Sequence, residues 1–151
     1  MAFYERFVTR SRDHFYTLDD LIKNYRVTAE DTFNFGYDVI DEMAKEMPDS
    51  LAMLWLGADD SERRFTFLDI KRLSDKSANV FKDCGVKKGD KVMLVLKRGY
   101  QFWYAMQGLN KIGAIAIPAT NQLMPKDFVY RCNAAGVKMI VITGDDDVTE
   151  R

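Results

Sequence analysis

The sequence contains few of the residues that build metal sites and disulfide frameworks. Its 151 residues include two cysteines, Cys84 and Cys132, and one histidine, His14. Zinc sites combine several cysteines or histidines, and small disulfide-stabilised domains need more cysteines than this, so neither structure is indicated. We predict that both cysteines are buried free thiols, that His14 is a surface residue, and that the chain holds no metal.

The chain also lacks a surplus of positive charge and a long apolar run. Its formal net charge is −1, whereas binding to nucleic acid needs a basic face, so no nucleic-acid partner is predicted. No apolar stretch approaches the roughly 18 residues that a membrane-spanning helix requires. The N-terminus has no apolar segment of the signal-peptide kind. These absences predict a cytoplasmic protein without a membrane span.

Glycine-rich loops of the kind that hold phosphates are missing. A dinucleotide-binding loop follows the pattern Gly-x-Gly-x-x-Gly after the first strand, and the corresponding loop here, residues 97–99, has one glycine. No Gly-Lys-Ser or Gly-Lys-Thr of a Walker-type loop occurs either. Residues 145–147 are consecutive aspartates. Such neighbours do not converge on one octahedral ion, which favours a solvated turn over a magnesium site.

Short apolar runs rich in valine and isoleucine alternate with segments of helical length in the second half of the chain. The predicted strands are 91–96, 114–118 and 138–143, and the predicted helices are 100–112 and 125–135. Apolar runs of this length are typical of strands buried on both faces. Alternating strands and helices form parallel sheets through right-handed crossovers. The predicted fold class is therefore α/β, with a mainly parallel central sheet and flanking helices.

A β-hairpin and further helices are predicted before this sheet. Residues 51–56 and 63–67 flank a turn-rich segment and predict the hairpin. Capping-box patterns at 17–20 and 66–69 predict two helix starts. A third helix is predicted from Phe35 to Met47, where Pro48 ends it. The predicted apolar stripe of the helix after residue 66 is Ile70, Leu73, Ser77, Val80, Phe81 and Cys84.

This pattern divides the chain into two parts. Residues 1–33 are predicted to be a lead-in with one short helix, and residues 34–151 the front part of a larger domain. A parallel layer of three strands has unpaired edges and partly uncovered faces, which indicates that it belongs to something larger. Open edges also pair with other chains, so a homo-oligomer is predicted.

Polar residues follow two of the predicted parallel strands. Lys97 and Arg98 come after the first, and Thr120, Asn121 and Gln122 come after the second. Ligands bind open α/β sheets at the carboxyl ends of their strands, so these side chains are candidates for ligand contacts. A solvated basic pair, and a cap for the following helix, are the alternative interpretations.

A set of short blocks stands in order along the chain, at residues 34–41, 65–70, 89–92, 95–98, 102–103, 113–122 and 130–131. In their order and spacing these blocks resemble the medium-chain branch of the AMP-forming acyl-CoA synthetases over residues 34–143. The wider adenylating superfamily includes luciferases and the adenylation domains of peptide synthetases. One departure is Lys97, which stands where many relatives have proline and alters the turn before Arg98.

The resemblance implies a two-step ligase acting on a small or medium-chain carboxylic acid in fatty acid metabolism. ATP and Mg²⁺ activate the acid as an acyl-adenylate, and CoA then displaces AMP. The family's Thr/Ser/Gly-rich loop, Tyr-Gly-x-Thr-Glu segment, ribose-binding aspartate and distal lysine are not in this sequence. The chain therefore resembles the N-terminal portion of such an enzyme, without catalytic residues. Alone it is expected to be inactive and to bind none of the three cofactors tightly.

The same resemblance implies a role for the polar loop. In the medium-chain synthetases the glutamine that corresponds to Gln122 looks like a contact for CoA. The resemblance thus implies that Gln122 contacts CoA, with Asn121 as a second polar contact and Arg98 as a partner for a phosphate. Two other functions stay open at this point. One is a non-catalytic interaction module that pairs through an exposed sheet edge, and the other is a small nucleotide-binding domain.

Overall fold

The computed structural model describes residues 6–7 and 16–144, in two units divided between Phe33 and Asn34. In the first unit, α1 (Leu18–Asn24) begins at Thr17, whose side chain accepts a hydrogen bond of 3.1 Å from the backbone N–H of Asp20. This N-cap confirms the predicted helix start. The predictions for His14 and for the aspartates 145–147 lie outside the described residues.

The second unit begins with a π-helix, Phe35–Asp41, which continues directly into α2, Glu42–Glu46. The sequence predicted one α-helix over this region, so the helical segment is confirmed but the type of its first half is not. Contacts with distant residues explain the difference. The Asn34 side chain donates to the carbonyl of Asn110 at 2.7 Å. A Cβ on Gly36 would lie 2.6 Å from Cγ of Lys111, so the π-helix backbone rests directly on that lysine.

The predicted hairpin is present as an antiparallel pair, β1 (Leu51–Leu56) and β2 (Glu62–Thr66). Helix α3 (Phe67–Asp83) follows β2 without a loop. Its start is the predicted capping box: the Thr66 hydroxyl accepts from the N–H of Asp69 at 3.2 Å, and the Asp69 carboxylate accepts from the N–H of Thr66 at 3.0 Å. Satisfying two otherwise unpaired donors at once defines the first residue of this helix.

The buried face of α3 differs from the predicted stripe. The buried residues are Ile70, Ser74, Ala78 and Phe81. Val80 is 58% exposed and Cys84 is exposed, so the prediction of a buried Cys84 is wrong. Ser74 and Ala78 are buried because the next helix packs closely there: a Cβ on Gly108 would lie 2.9 Å from the backbone N of Ala78 and 3.0 Å from the backbone O of Ser74. Small side chains are selected at that contact by their size, whatever their hydrophobicity.

The central sheet has the predicted α/β arrangement. Its parallel strands are β3 (Lys91–Val95), β4 (Ile115–Pro118) and β5 (Val137–Ile142), in the order β4-β3-β5, and its helices are α4 (Gln101–Lys111) and α5 (Pro125–Ala135). Gly136 ends α5 in the left-handed conformation, with φ 63°, which glycine adopts without strain. The fold class inferred from the sequence is confirmed.

Strand β3 and the residue after it form the centre of the core. Val92, Leu94 and Leu96 pack on one side in a cluster that also contains Phe81 and Leu109. Met93 and Val95 face the other side, where the partly buried Phe128 and Cys132 of α5 pack against them. Successive residues of a strand point to opposite faces. Both faces of β3 are therefore covered, as its continuous apolar sequence predicted.

A cluster of charged side chains joins the π-helix to α3 and α4. The Lys111 side chain is 1% exposed, and its Nζ donates to Asp41 at 2.7 Å and to Asp75 at 2.5 Å. Lys71 donates to Asp75 at 2.7 Å. Burial alone would raise the pKa of Asp75, but the hydrogen bonds from Lys111 and Lys71 outweigh it and hold this pKa below its ordinary value. Two cations thus neutralise two carboxylates where three helical segments meet.

Candidate ligand-binding edge of the central sheet

The carboxyl ends of β3 and β4 lie side by side. These strands are parallel neighbours with Leu94 opposite Pro118, and the N–H of Ala119 donates to the carbonyl of Leu94 at 2.9 Å. The loops that leave the two strands therefore emerge at the same edge of the sheet. Arg98 lies in the first loop, and Asn121 and Gln122 lie in the second, so the structure brings the three predicted residues to one edge.

The loop between β3 and α4 has an unusual backbone. Lys97 has φ 48°, in the left-handed region that residues other than glycine seldom adopt. The turn closes with a 2.9 Å hydrogen bond from the N–H of Gly99 to the carbonyl of Leu96. Proline is restricted to φ near −65°. A proline at position 97 therefore could not adopt this turn conformation.

The hairpin holds this loop in place through an aromatic cluster. The indole N–H of Trp55 donates to the carbonyl of Arg98 at 2.7 Å, and its ring meets that of Tyr100 edge to face, with centroids 5.3 Å apart. The Arg63 guanidinium lies 4.9 Å from the centroid of the Tyr100 ring. Burial raises the pKa of the Tyr104 hydroxyl above its ordinary value, and the neighbouring Tyr100 raises it further. The cluster positions the Arg98 loop.

The loop between β4 and α5 presents two amide side chains. The Thr120 hydroxyl accepts from the N–H of Gln122 at 3.2 Å, while Leu123 is 7% exposed and anchors the loop. Gln122 is exposed and Asn121 is partly buried. Neither amide side chain forms a hydrogen bond with another residue in the described part of the chain. The arrangement leaves both able to contact a ligand.

The alternative interpretation of this loop as a helix cap is not what the structure shows. Helix α5 begins after Met124, whose N–H donates to the carboxylate of Asp127 at 3.1 Å. The residue that caps the start of α5 is thus Asp127, which lies in the first turn of the helix. Thr120 forms a local turn with Gln122 and does not reach the helix.

The chemistry that this edge supports is binding. An exposed guanidinium suits an anionic group, and neutral amides suit other amides and hydroxyls. Within residues 6–7 and 16–144, no three His, Cys, Asp or Glu side chains are grouped so that they could hold a metal ion. The assignment of Arg98, Asn121 and Gln122 to a particular ligand stays a prediction.

A second concave feature was missed by the sequence reasoning. A groove of about 770 Å³ opens among the π-helix, β1, α3 and α4. Nine apolar side chains and two carboxamides, Gln107 and Asn110, form its walls. No local signal could have revealed it, because its residues are spread over more than seventy positions of the chain.

Comparison with known proteins identifies the family. Residues 40–151 match the AMP-binding enzyme family. Acyl-coenzyme A synthetase ACSM5 of Rattus norvegicus is 36% identical over 115 residues, which are 72% of this chain and 20% of that protein. ACSM3 of Homo sapiens is 30% identical over 139 residues, or 88% of this chain and 24% of that protein. The chain thus spans about a fifth to a quarter of the length of these relatives.

Solved structures show the same fold. An acyl-CoA synthetase from Brucella canis superposes with a TM-score of 0.71 at 25% identity, covering 76% of this chain and 21% of that one. The N-terminal domain of FACL13 from Mycobacterium tuberculosis superposes with a TM-score of 0.69 at 24% identity, covering 78% of this chain and 29% of that one. The second likeness concerns the fold alone. It agrees with the expected resemblance to the N-terminal domain of adenylating enzymes.

The comparisons also correct one prediction. The relatives ACSM3 and ACSM5 are mitochondrial proteins, so the predicted cytoplasmic location is contradicted. No helix in the part of the chain that the structure describes is long and apolar enough to cross a membrane. The resemblance itself is confirmed by the match over most of the chain: this protein belongs to the AMP-binding enzyme family, and its relatives there include acyl-CoA synthetases.

Proposed function

We propose that this chain is part of an AMP-forming acyl-CoA synthetase that joins a small or medium-chain carboxylic acid to CoA. The observation that carries the proposal is 36% identity with the synthetase ACSM5 over 72% of the chain. In the proposed reaction the acid and ATP yield an acyl-adenylate and pyrophosphate. The CoA thiol then attacks the acyl carbon and AMP leaves. We propose that the synthetase of which this chain is a part acts in fatty acid metabolism.

The residues present do not fit ATP and Mg²⁺. Phosphoryl-group chemistry needs a phosphate-binding loop, cations and carboxylates that hold the metal. The sequence has no Gly-Lys-Ser or Gly-Lys-Thr, and the described residues offer no group of metal ligands. We therefore propose that no residue of this chain acts in a catalytic step. In the proposed enzyme this chain supplies a folded scaffold. The groups that act on the phosphates of ATP are supplied by residues that are not in this sequence.

CoA fits the residues at the sheet edge better. Its pantetheine arm carries two amides and a hydroxyl, which a neutral side-chain amide can both donate to and accept from. Gln122 and Asn121 supply such amides, and Arg98 supplies a cation for a phosphate. All three leave the sheet at the same edge, where open α/β sheets bind ligands. We propose that they contact CoA in the assembled enzyme.

The overall function is tested by ATP–pyrophosphate exchange that depends on a carboxylic acid. The 151-residue chain alone should show none. A chimera in which this chain replaces the aligned segment of human ACSM3 should show exchange with a medium-chain acid and then form acyl-CoA. Exchange by the isolated chain would refute the proposal that the catalytic residues are not in this sequence. A folded chimera without exchange would contradict the ligase proposal.

The CoA site is tested in the same chimera. Gln122→Ala should raise the KM for CoA about fivefold, the effect of losing one hydrogen bond of about 1 kcal/mol, and should leave adenylate formation unchanged. The matched control is Gln101→Ala on α4. If Gln122→Ala instead impaired exchange and left the dependence on CoA unaltered, the proposed role of this loop would be wrong.

A second function is favoured by one observation. Among the described residues, β4 and β5 are the outer strands of the sheet, so each has one unpaired edge. An interaction module would pair a partner's strand with one of these edges. Such a module would bind its partner without any exchange activity in the chimera, which distinguishes it from the ligase.

A further inference from the structure

The loop between β3 and α4 is strained, tightly packed and bonded to the hairpin at one atom. Lys97 has φ 48°, which is unfavourable for a residue with a Cβ. A Cβ on Gly99 would lie 3.0 Å from the carbonyl oxygen of Leu96. Between them, the carbonyl of Arg98 accepts the 2.7 Å hydrogen bond from the indole N–H of Trp55. Strained backbone persists where its surroundings hold it, and Trp55 supplies such a contact from outside the loop.

The indole of Trp55 is itself held in one orientation. Its ring meets that of Tyr100 edge to face with centroids 5.3 Å apart, and the ring of Phe65 lies 5.2 Å from the same tyrosine ring. Across the hairpin Trp55 lies opposite Arg63, whose guanidinium is 4.9 Å from the centroid of the Tyr100 ring. Packing of this kind restricts the rotamers of the indole. Its N–H is therefore directed at the Arg98 carbonyl.

Arg98 is fixed by its backbone but not by its side chain. The guanidinium is exposed and forms no hydrogen bond or ion pair with any residue that the structure describes. Fixing the backbone limits the volume that this group can reach, so less conformational freedom is lost when it pairs with an anion. A guanidinium pairs with phosphate through two parallel hydrogen bonds, which need a defined direction of approach. Holding the Arg98 carbonyl therefore favours phosphate binding at this edge of the sheet.

The second loop at this edge is held in a different way. The N–H of Gln122 donates to the hydroxyl of Thr120 at 3.2 Å, and the buried Leu123 anchors the loop. Within the part of the chain that the structure describes, no hydrogen bond or ring contact joins the hairpin to residues 119–124. The hairpin thus holds the loop with the cation, whereas the loop with the two amides is held locally.

We infer that Trp55 is a positioning residue: by holding Arg98 it sets the affinity for the phosphate end of CoA, and it leaves the contacts of the pantetheine arm unaffected. The inference rests on the proposed function, in which Arg98 pairs with a phosphate and the amides of Gln122 and Asn121 bind pantetheine. Trp55 acts through Arg98 and not by contact with the ligand. The hairpin thereby contributes to the preference for CoA over thiols that lack phosphate groups.

The first test uses Trp55→Phe in the ACSM3 chimera. This change keeps an aromatic ring beside Tyr100 and removes the N–H. The KM for CoA should rise about fivefold, the effect of one hydrogen bond. The inhibition constant of S-methylpantetheine against CoA should stay the same, because this probe has the amides of the arm and no phosphate. A rise in both constants, as from a general loss of structure, or in neither, would overturn the inference.

The matched control is Trp103→Phe. Trp103 lies on α4 and is 51% exposed, and among the described residues its indole N–H has no hydrogen-bond partner. The KM for CoA should therefore be unchanged in this variant. Carboxylate-dependent ATP–pyrophosphate exchange establishes that each variant is folded and forms the adenylate.

A double-mutant cycle separates positioning from an independent structural effect. Arg98→Ala should raise the KM for CoA about tenfold or more, as expected for the loss of a hydrogen bond between two charged groups. Adding Trp55→Phe should raise it no further, because no guanidinium is left to position. Additive effects would overturn the inference. An unchanged KM in Arg98→Ala would refute the proposed phosphate contact itself, whereas an effect of Arg98→Ala without one of Trp55→Phe would refute the role of Trp55 alone.

A further measurement needs no substitution at position 55. The chain has two tryptophans, so nuclear magnetic resonance shows two indole N–H signals, which Trp103→Phe assigns. In the unmodified chain the N–H of Trp55 should exchange with deuterated water at least about tenfold more slowly than that of Trp103, as expected for a hydrogen-bonded donor. Equal exchange rates would show that the indole does not hold the Arg98 loop in solution, and would overturn the inference.

Discussion

Replacing the buried lysine between helices should cost much more stability than replacing a lysine at the surface. Lys111→Met removes a cation that lies 2.7 Å from Asp41 and 2.5 Å from Asp75, in a side chain 1% exposed. Breaking a buried ion pair costs about 3–5 kcal/mol, because a carboxylate is left buried without its partner. Lys71 remains 2.7 Å from Asp75 and 3.6 Å from Asp41. This second cation limits the damage, so we expect about 3 kcal/mol, the lower end of that range.

The matched control is Lys138→Met. Lys138 donates to Asp90 at 2.6 Å, but both side chains are partly exposed, at 42% and 28%. Exposed ion pairs contribute about 0–1 kcal/mol. Urea unfolding followed by circular dichroism gives both free energies of unfolding. For a chain of this size, about 3 kcal/mol also corresponds to a fall in Tm of about 6–12 °C.

A double substitution tests the physical reason for this cost. In Lys111→Met combined with Asp41→Leu, no buried carboxylate is left unpaired at position 41. The double variant should therefore be more stable than the sum of the two single losses, by about 1–3 kcal/mol. If Lys111→Met cost no more than Lys138→Met, the view that this cluster holds the π-helix, α3 and α4 together would be refuted.

Three further predictions follow from the structure. Folding lowers the pKa of Asp75 from its ordinary value of 3.8. The Asp75 carboxylate therefore stabilises the fold above pH 3.8, and this stabilisation is lost as the pH falls through the lower pKa of the folded state. The urea midpoint of Asp75→Asn should consequently change less between pH 5 and pH 3 than that of the unmodified chain. Lys97 has φ 48°, so Lys97→Gly should raise the free energy of unfolding by about 1 kcal/mol and Lys97→Pro should lower it, and the reverse order would refute the strained turn. In the part of the chain that the structure describes, β4 and β5 each have one unpaired edge, which predicts a dimer or larger species; light scattering that finds a monomer at high concentration would contradict this prediction.

The sequence by itself determined the features that depend on neighbouring residues. Thr66 and Asp69 specify the start of α3, because a capping box is completed within four residues. The apolar run of β3 predicted a strand covered on both faces, because runs of this length between turn residues are typical of such strands, and covering both faces removes every apolar side chain of the run from water. The blocks that resemble acyl-CoA synthetases also lie in short stretches. The family could therefore be identified from the sequence.

Tertiary structure alone decided the features that depend on distant residues. The π-helix backbone lies against Lys111 at Gly36, and the buried face of α3 includes Ser74 and Ala78, whose backbone Gly108 approaches closely. The groove and its carboxamide pair arise where the hairpin meets three helices. Local periodicity contains no information on which helices will touch, or how closely. The shape of an interior surface is set by side-chain volumes at contacts between segments far apart in the chain, and those contacts exist only after the chain has folded.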